Sequence, residues 1–116
     1  MLDAIQRAAG APPRIETYMA KGSQEKKRCA RIAAIFKTLS HPQRLFLLCC
    51  LCEGEAVVSD LQKVCGAPQP VISQHLSRMR REGLVKARRT GTSIHYRIAD
   101  PRIPAIIRSM EKIFGP

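Results

Sequence analysis

Apolar residues recur at helical spacing most clearly in the segment of residues 69–85. Ile72, Leu76 and Met79 follow one another at intervals of four and three residues, which places them on one face of an α-helix. The other faces carry short hydrogen-bonding side chains near the start and arginines further on, which suit base edges and phosphates. Gly83 predicts the helix end, because glycine readily adopts the left-handed conformation that closes many helices.

Two short runs of strand-forming residues follow this helix. Residues 84–85 and residues 94–98 are joined by a basic loop that contains the turn residue Gly91. A basic helix followed by a basic two-stranded ribbon is the outline of a winged helix. Before the helix, Ser59 begins a capping-box pattern that predicts a short helix ending near Gly66, and a tight turn then leads onward, as in a helix-turn-helix.

Three further helices are predicted around this unit. Ser23 has the character of an N-cap for a helix that ends near Leu39. Pro42 stands in the first turn of an almost wholly apolar helix, and residues 102–114 repeat apolar side chains at helical spacing. The predicted fold is therefore mainly α with a small β-hairpin: a winged helix-turn-helix of about five α-helices plus a two-stranded wing.

The first and last helices show more apolar surface than one small unit can cover, which predicts that they pair in a homodimer. We expect residues 1–22 to form an N-terminal arm or a short helix, and both alternatives stay open. Residues 23–116 are predicted to form the winged-helix DNA-binding and dimerisation domain.

The charge changes this picture by indicating a polyanionic partner. The 116-residue chain has a formal net charge of +11, and residues 69–97 contain seven Lys or Arg and one acid, 7 − 1 = +6. Nucleic acid is the first expectation and an acidic membrane surface the second. We expect no membrane-spanning segment, because no apolar run is long enough, and no secretory signal, because the first residues lack a cationic start followed by an apolar stretch. Its five cysteines lack the regular spacings of a disulfide framework, which predicts free thiols in the cytoplasm.

Several short motifs occur together: LSHPQRLFLL at residues 39–48, Ser-x-His-Leu in the predicted reading helix, Gly-Leu-Val after it, and Tyr-Arg-Ile in the wing. This combination resembles the ArsR/SmtB family of winged-helix dimeric repressors, and the likeness covers about residues 24–114. The resemblance implies a cytoplasmic homodimer that represses its own operon by binding palindromic double-stranded operator DNA. It also implies that an inducer releases the DNA.

The motif match implies which residues face DNA. The reading helix and the wing tip would contribute Gln69, Ser73, Gln74, His75, Ser77, Arg78, Arg88, Arg89 and Thr90. For His75 a second interpretation stays open, in which the imidazole is hydrogen-bonded to a backbone group or a phosphate rather than to a base.

The resemblance also implies two common metal sites, and the residues present fit neither. The third-helix site needs Cys-x-Cys just before an aspartate, but Val57 and Ser59 precede Asp60 here. The last-helix site needs an Asp and His pair near its start, but Arg102 follows Asp100 where histidine is expected. Because a guanidinium cation cannot ligate zinc, we expect no metal at the usual sites and no cofactor.

The second helix, RLFLLCCLCEGE, is similar to the reactive-sulfur-responsive sub-branch of this family, the group of BigR, SqrR and HlyU. This likeness implies that reactive sulfur or another thiol oxidant induces release by modifying Cys49. In that sub-branch a second cysteine lies near the end of the last helix, but residues 113–115 contain none here. Cys29, which stands among the cations of the first helix, is the candidate substitute. Cys50 and Cys52 are more simply explained as small apolar residues.

Two alternative functions stay open at this point. Cys49 and Cys52 are three residues apart on one helix face, so with Cys29 they could hold As(III) or a soft metal as the inducer. A second alternative is a winged-helix module that binds another protein instead of DNA. An enzyme is not expected, because the chain has no Gly-rich phosphate loop, no paired carboxylates in an apolar setting and no nucleophile pattern.

Overall fold

The computed structural model describes residues 15–116 and shows the predicted winged helix-turn-helix. Across these residues the elements follow in the order α1 (Ile15–Leu39), α2 (Pro42–Cys52), β1 (Ala56–Val57), α3 (Val58–Cys65), α4 (Gln69–Arg81), β2 (Val85–Thr90), β3 (Ser93–Ile98) and α5 (Arg102–Phe114). The expected fold class is thereby confirmed. The chain divides into two compact units, and the second comprises Lys37–Pro116.

Helix α1 begins earlier than the sequence predicts. Its first residue is Ile15, so Ser23 lies inside the helix and is not its N-cap. The helix kinks at Lys21, where φ is −113° and ψ is 16°. Residues 1–14 lie outside the described residues, and the expected division at residue 22 between an N-terminal arm or short helix and the domain stays a prediction.

The core of the second unit is aliphatic, as expected for a chain without tryptophan. Helix α2 contacts α3, α5 and β3, and α3 contacts α4. The side chains with almost no exposure are Leu47 and Leu48 of α2, Leu61 of α3, Ile72, Leu76 and Met79 of α4, Val85 of β2, and Ile103 and Ile107 of α5. The three predicted apolar residues of the reading helix are therefore its buried face, and its polar faces remain available.

Local chemistry sets the helix ends, with one departure from expectation. His41 caps α2, because its Nδ1 accepts the Gln43 N–H at 3.2 Å. At the end of α4, Gly83 adopts φ 79° and the Leu84 N–H donates to the Met79 carbonyl, which gives a Schellman motif. The predicted capping box at Ser59 is wrong. Helix α3 begins at Val58, so its N-cap is Val57, two residues before Ser59, and the apolar valine side chain has no group that could make a cap hydrogen bond.

The sheet has three strands in the order β1-β3-β2, one more than predicted. Both pairs are antiparallel, with Val85 opposite Ile98 and Thr90 opposite Ser93 in the wing hairpin. Gly91 forms the turn with φ 61°, where a residue without Cβ is favoured. Strand β1 joins the wing to the segment after α2, so the wing is anchored to the body of the fold.

Candidate nucleic-acid interface

Helices α3 and α4 form the predicted helix-turn-helix, and α4 is its reading helix. Helix α3 ends at Cys65, after which Gly66 adopts φ 63° and donates its N–H to the Gln62 carbonyl. Pro68 is extended, and Pro70 stands in the first turn of α4, where its missing N–H has no helical partner to lose. Three residues separate the helices, so the turn sets α4 directly against α3.

A groove of about 350 Å³ lies between the start of the reading helix and the wing, and both contribute to its lining. We call it the reading groove. Its polar lining consists of hydroxyl and amide side chains: Ser59, Gln62, Gln69, Ser73, Ser77, Thr92, Ser93 and Tyr96. Three predicted DNA contacts, Gln69, Ser73 and Ser77, are therefore brought together on one side of α4. Such side chains can donate and accept, as recognition of base edges requires.

The outer side of the reading helix is exposed and partly cationic. Gln74 is exposed, and so are Arg80 and Arg81 in the last turn. Cations at this end are also favoured by the partial negative charge of the helix C-terminus. The outer side thus combines an amide near the middle of α4 with positive charge at its end.

His75 contacts the beginning of α2. Its Nε2 lies 3.1 Å from Gln43 Oε1, and its ring lies 4.7 Å from that of His41 at an angle of 57°. Burial, together with His41 and the cations Arg44 and Arg78, lowers the pKa of His75 below 6.5. These contacts support the interpretation in which the histidine is hydrogen-bonded within the protein, while its predicted contact with a base stays a prediction.

Arg78 is half-buried and has an internal partner. Its Nε donates to Glu82 Oε1 at 3.0 Å. The other oxygen of Glu82 accepts the hydroxyl of Thr38. In the absence of DNA, Arg78 is therefore already paired with Glu82, whereas Arg80 and Arg81 are exposed.

The predicted wing-tip residues lie in strand β2 rather than in a loop. Hydrogen bonding across the hairpin extends to Thr90, which leaves Gly91 and Thr92 as the turn. Arg88 Nε donates to Glu55 Oε1 at 2.6 Å, and its Nη1 donates to Thr90 Oγ1 at 2.8 Å. Arg89 alternates to the other side of the strand and is exposed. In β2, Arg88 is therefore already paired with Glu55, whereas Arg89 is exposed on the opposite side of the strand.

The predicted sensor Cys49 lies in a separate small cavity. This cavity has a volume of about 290 Å³ and an almost wholly apolar surface. It is lined by Leu45, Cys49, Ile107, Met110, Glu111, Phe114 and Gly115. Burial raises the pKa of the Cys49 thiol above 9.0, and Cys52, Glu111 and Cys50 raise it further. The α5 side of the cavity thus offers a carboxylate and not a thiol to Cys49.

The other thiols differ in exposure. Cys29 is exposed on α1, whereas Cys50 and Cys52 are half-buried. Burial also raises the pKa values of Cys50 and Cys52. Within residues 15–116, no three His, Cys, Asp or Glu side chains are grouped so as to hold a metal ion. The soft-metal alternative therefore gains no support from this part of the chain.

The position of the family's last-helix metal site, where we expect no metal, contains an ion pair. Asp100 Oδ2 lies 2.7 Å from Arg102 Nη2, and Asp100 Oδ1 accepts the Arg102 N–H at 2.9 Å. The hydrogen bond from the guanidinium is the main reason that the pKa of Asp100 lies below its usual value. Asp100, which precedes the N-cap Pro101, thus accepts the first N–H of α5.

Comparison with known proteins agrees with this geometry. Residues 41–87 match the family model "Bacterial regulatory protein, arsR family". The chain is 40% identical over 88 residues to the biofilm growth-associated repressor of Xylella fastidiosa strain Temecula1, across 76% of this chain and 77% of the relative. The chain belongs to the ArsR family. Members of this family are regulatory proteins, so the expectation that the chain is not an enzyme is confirmed.

Solved structures show the same fold as this ArsR-family protein. The transcriptional repressor BigR from Xylella fastidiosa matches with a TM-score of 0.74 and 38% identity, over 79% of this chain and 94% of that one. A possible ArsR-family regulator from Mycobacterium bovis, solved as a homodimeric winged helix-turn-helix DNA-binding domain, matches with a TM-score of 0.68 and 28% identity, over 78% and 83%. Within residues 15–116, no helix has the length and apolar character needed to cross a membrane.

Several residues at the candidate interface were not among the predicted DNA contacts: Ser59, Gln62, Thr92 and Ser93 in the groove, and Gln43 and Glu55 next to it. Gln43 contacts the reading helix and Glu55 contacts the wing, although each partner lies more than 30 residues away in the chain. A glutamine in a first turn and an acid in a loop have no distinctive local pattern. The family motif could have drawn attention to Gln43, because this residue occupies the variable position of His-Pro-x-Arg-Leu.

Proposed function

We propose that this ArsR-family protein is a homodimeric transcriptional repressor that binds palindromic operator DNA through α4 and the wing. The observation that carries the proposal is the reading groove, most of whose hydrogen-bonding side chains come from residues 69–97, a segment of net charge 7 − 1 = +6. Neutral donors and acceptors select base edges, whereas cations bind the sugar-phosphate backbone of any sequence. The name of the Xylella relative, a repressor, supports repression.

The proposed contacts divide into three groups. Gln69, Ser73 and Ser77 read bases from the groove, and Gln74 reads from the exposed side of α4. The cations Arg78, Arg88 and Arg89, together with the hydroxyl of Thr90, bind phosphates. His75 contributes indirectly by fixing the orientation of α4, which its hydrogen bond to Gln43 supports.

Exposed apolar side chains support the homodimer. At the end of α5, Ile113 and Phe114 are 73% and 81% exposed, and Phe36 on α1 is 53% exposed. Large exposed apolar residues of this kind commonly mark protein–protein contacts. A two-fold dimer places two reading helices about one DNA turn apart, roughly 34–36 Å, which matches a palindromic operator. The Mycobacterium bovis homodimer supports the same assembly.

Modification of Cys49 is the proposed release signal. Its thiolate attacks one sulfur of a polysulfide, the sulfur–sulfur bond breaks, and a Cys49 persulfide forms while the shortened polysulfide leaves as an anion. The added polar sulfur lies in the apolar cavity shared by α2 and α5. Because Glu111 is close enough to raise the pKa of the thiol, it also disfavours an anionic persulfide there. Strain between α2 and α5 then changes the spacing of the reading helices.

The last helix offers Cys49 no second cysteine of the kind that the sub-branch carries near the end of this helix. The cavity is lined on its α5 side by Met110, Glu111, Phe114 and Gly115. We therefore propose that a Cys49 persulfide by itself suffices for release, with Cys29 as the candidate second thiol. Mass spectrometry of the treated protein distinguishes one added sulfur atom on Cys49 from a link between Cys49 and Cys29.

Fluorescence anisotropy tests the whole proposal. Reduced protein is titrated onto the DNA upstream of its own coding sequence and onto a scrambled duplex, before and after polysulfide treatment. We expect tight, salt-dependent binding to the upstream DNA that polysulfide abolishes and reductant restores. A Cys49→Ser variant that still releases DNA on treatment would refute the role of Cys49. Equal affinity for both duplexes would instead favour a protein-interaction module.

A further inference from the structure

One face of the reading helix is attached to the connection between α1 and α2. His75, Arg78 and Glu82 are separated by three and four residues, so they lie along a single face of α4. The reading groove is lined from a different face. The partners of the attached face come from residues 37–44, which we call the α1–α2 junction.

The first attachment is made by the start of α2. His41 caps this helix by accepting the Gln43 N–H at Nδ1, and this contact fixes the backbone of the first turn. The Gln43 side chain then reaches His75, with 3.1 Å between Oε1 and Nε2. The amide oxygen can only accept, so His75 carries its proton on Nε2 in this contact. The ring of His41 packs on that of His75 and limits its rotation.

The second attachment involves the end of α4. Arg44 is buried and donates from Nε to the Thr38 carbonyl at 3.1 Å and from Nη2 to the Lys37 carbonyl at 3.2 Å. The Thr38 hydroxyl donates to Glu82, which also accepts from Arg78. Seven residues separate the two attachment points on α4, which corresponds to about 10 Å along the helix. Two points this far apart fix both its tilt and its rotation.

We propose that Gln43 is a positioning residue for sequence recognition, because its side-chain oxygen holds α4 through His75 in the rotation that directs the groove side chains at base edges. This inference rests on the proposed role of α4 as the reading helix. Side chains end about 5 Å from a helix axis, so a rotation of about 20° moves them by roughly 2 Å. A hydrogen bond to a base does not survive that displacement. Long, flexible arginines can follow a phosphate, so binding without sequence preference survives.

The test compares affinities for a selected duplex and a scrambled duplex. The selected duplex is obtained by enrichment of a random DNA pool on the wild-type protein. In Gln43→Met, which keeps the length of the side chain but has no acceptor oxygen, we expect binding to the selected duplex to weaken by about 3- to 10-fold per subunit, the range for one hydrogen bond. Affinity for the scrambled duplex and the salt slope should stay unchanged, because no cation is removed. Gln24→Met, on the exposed side of α1, is the matched control and should equal the wild type.

Two further variants separate positioning from simple destabilisation. Gln43→Glu retains an acceptor oxygen, so it should keep the ratio of the two affinities even if its charge weakens both. Gln43→Asn withdraws the oxygen by about 1.5 Å, the length of one carbon–carbon bond, and should lose the ratio as Gln43→Met does. Urea unfolding of each variant shows whether the change in ratio occurs at unchanged stability. If Gln43→Met does not fold, Gln43→Asn replaces it in the test, because the same loss of the affinity ratio is expected.

A double-mutant cycle with His75→Phe decides whether Gln43 acts through His75. If it does, the double variant Gln43→Met with His75→Phe loses no more selectivity than either single variant. Fully additive losses would overturn the inference, and so would a Gln43→Met protein with wild-type selectivity. Failure of the proposed function looks different, since enrichment on the wild-type protein would then yield no preferred duplex.

Discussion

Replacement of Glu55 by glutamine tests whether the wing arginine is held back from DNA. Glu55 Oε1 lies 2.6 Å from Arg88 Nε, and in the proposed complex the same guanidinium binds a phosphate, so the ion pair must first be broken. The Arg88 and Glu55 side chains are 57% and 33% exposed. Exposed pairs of this kind contribute about 0.2–1 kcal/mol after solvent screening. Removing the pair should therefore strengthen operator binding by up to about fivefold per wing.

The assay measures affinity by anisotropy over a series of salt concentrations. Because Arg88 contacts its phosphate in both proteins once the ion pair is broken, the number of phosphates neutralised is the same, and the slope of log K against log salt should stay unchanged. The matched control is Glu53→Gln, which removes the same charge from an exposed position two residues earlier. We expect Glu55→Gln to bind more tightly at an unchanged slope, and Glu53→Gln to show a smaller gain, also at an unchanged slope.

Equal gains in the two variants would refute the reasoning, because they would show a general effect of net charge. An unchanged affinity in Glu55→Gln would also refute it, since Arg88 would then not exchange Glu55 for a phosphate. His95 Nδ1 lies 3.8 Å from the same carboxylate oxygen, so all variants are compared at one fixed pH.

In a variant that retains only Cys49, the alkylation rate with iodoacetamide should keep rising as the pH passes 9.0, because burial and Glu111 raise the pKa of this thiol; a plateau below that pH would contradict the prediction. The pKa of His75 is lowered on folding, so stability present above pH 6.5 should be partly lost as the pH falls through 6.5, and His75→Phe should lose less in urea unfolding. Arg89→Ala should weaken binding to every duplex alike and reduce the salt slope by about 0.9 per wing, as anisotropy can show. Leu76→Ala removes a fully buried side chain and should lower the free energy of unfolding by about 2–5 kcal/mol, measured in urea.

The sequence by itself determined the parts of this protein that follow from local patterns. The spacing of Ile72, Leu76 and Met79 identified the buried face of the reading helix, and Gly83 marked its end. Both signals are local, because helix periodicity and left-handed glycine depend on residues within one or two turns. Residues 102–114 formed a helix for the same reason. Net charge and motif spacing, which are properties of the chain alone, together indicated the nucleic-acid partner.

Short elements are harder to predict, for an equally physical reason. Strand β1 has two residues, too few to show a period of two. Because that strand occupies Ala56–Val57, α3 starts directly after it and the predicted cap at Ser59 becomes a helix residue. The sequence pattern predicts a loop for Arg88 and Arg89, since basic residues have no strong strand preference. Pairing with β3 across the hairpin decides their conformation instead.

Only the tertiary structure decided which side chains meet. Gln43 contacts His75 across 32 residues, and Glu55 contacts Arg88 across 33. It also placed Glu111 beside the cavity that contains Cys49. Such contacts depend on how helices and strands pack after each has formed, and a polar residue looks the same in sequence whether it faces solvent or a distant partner. The pattern of the chain set the elements, while packing selected which of their polar groups are paired within the protein and which remain for DNA.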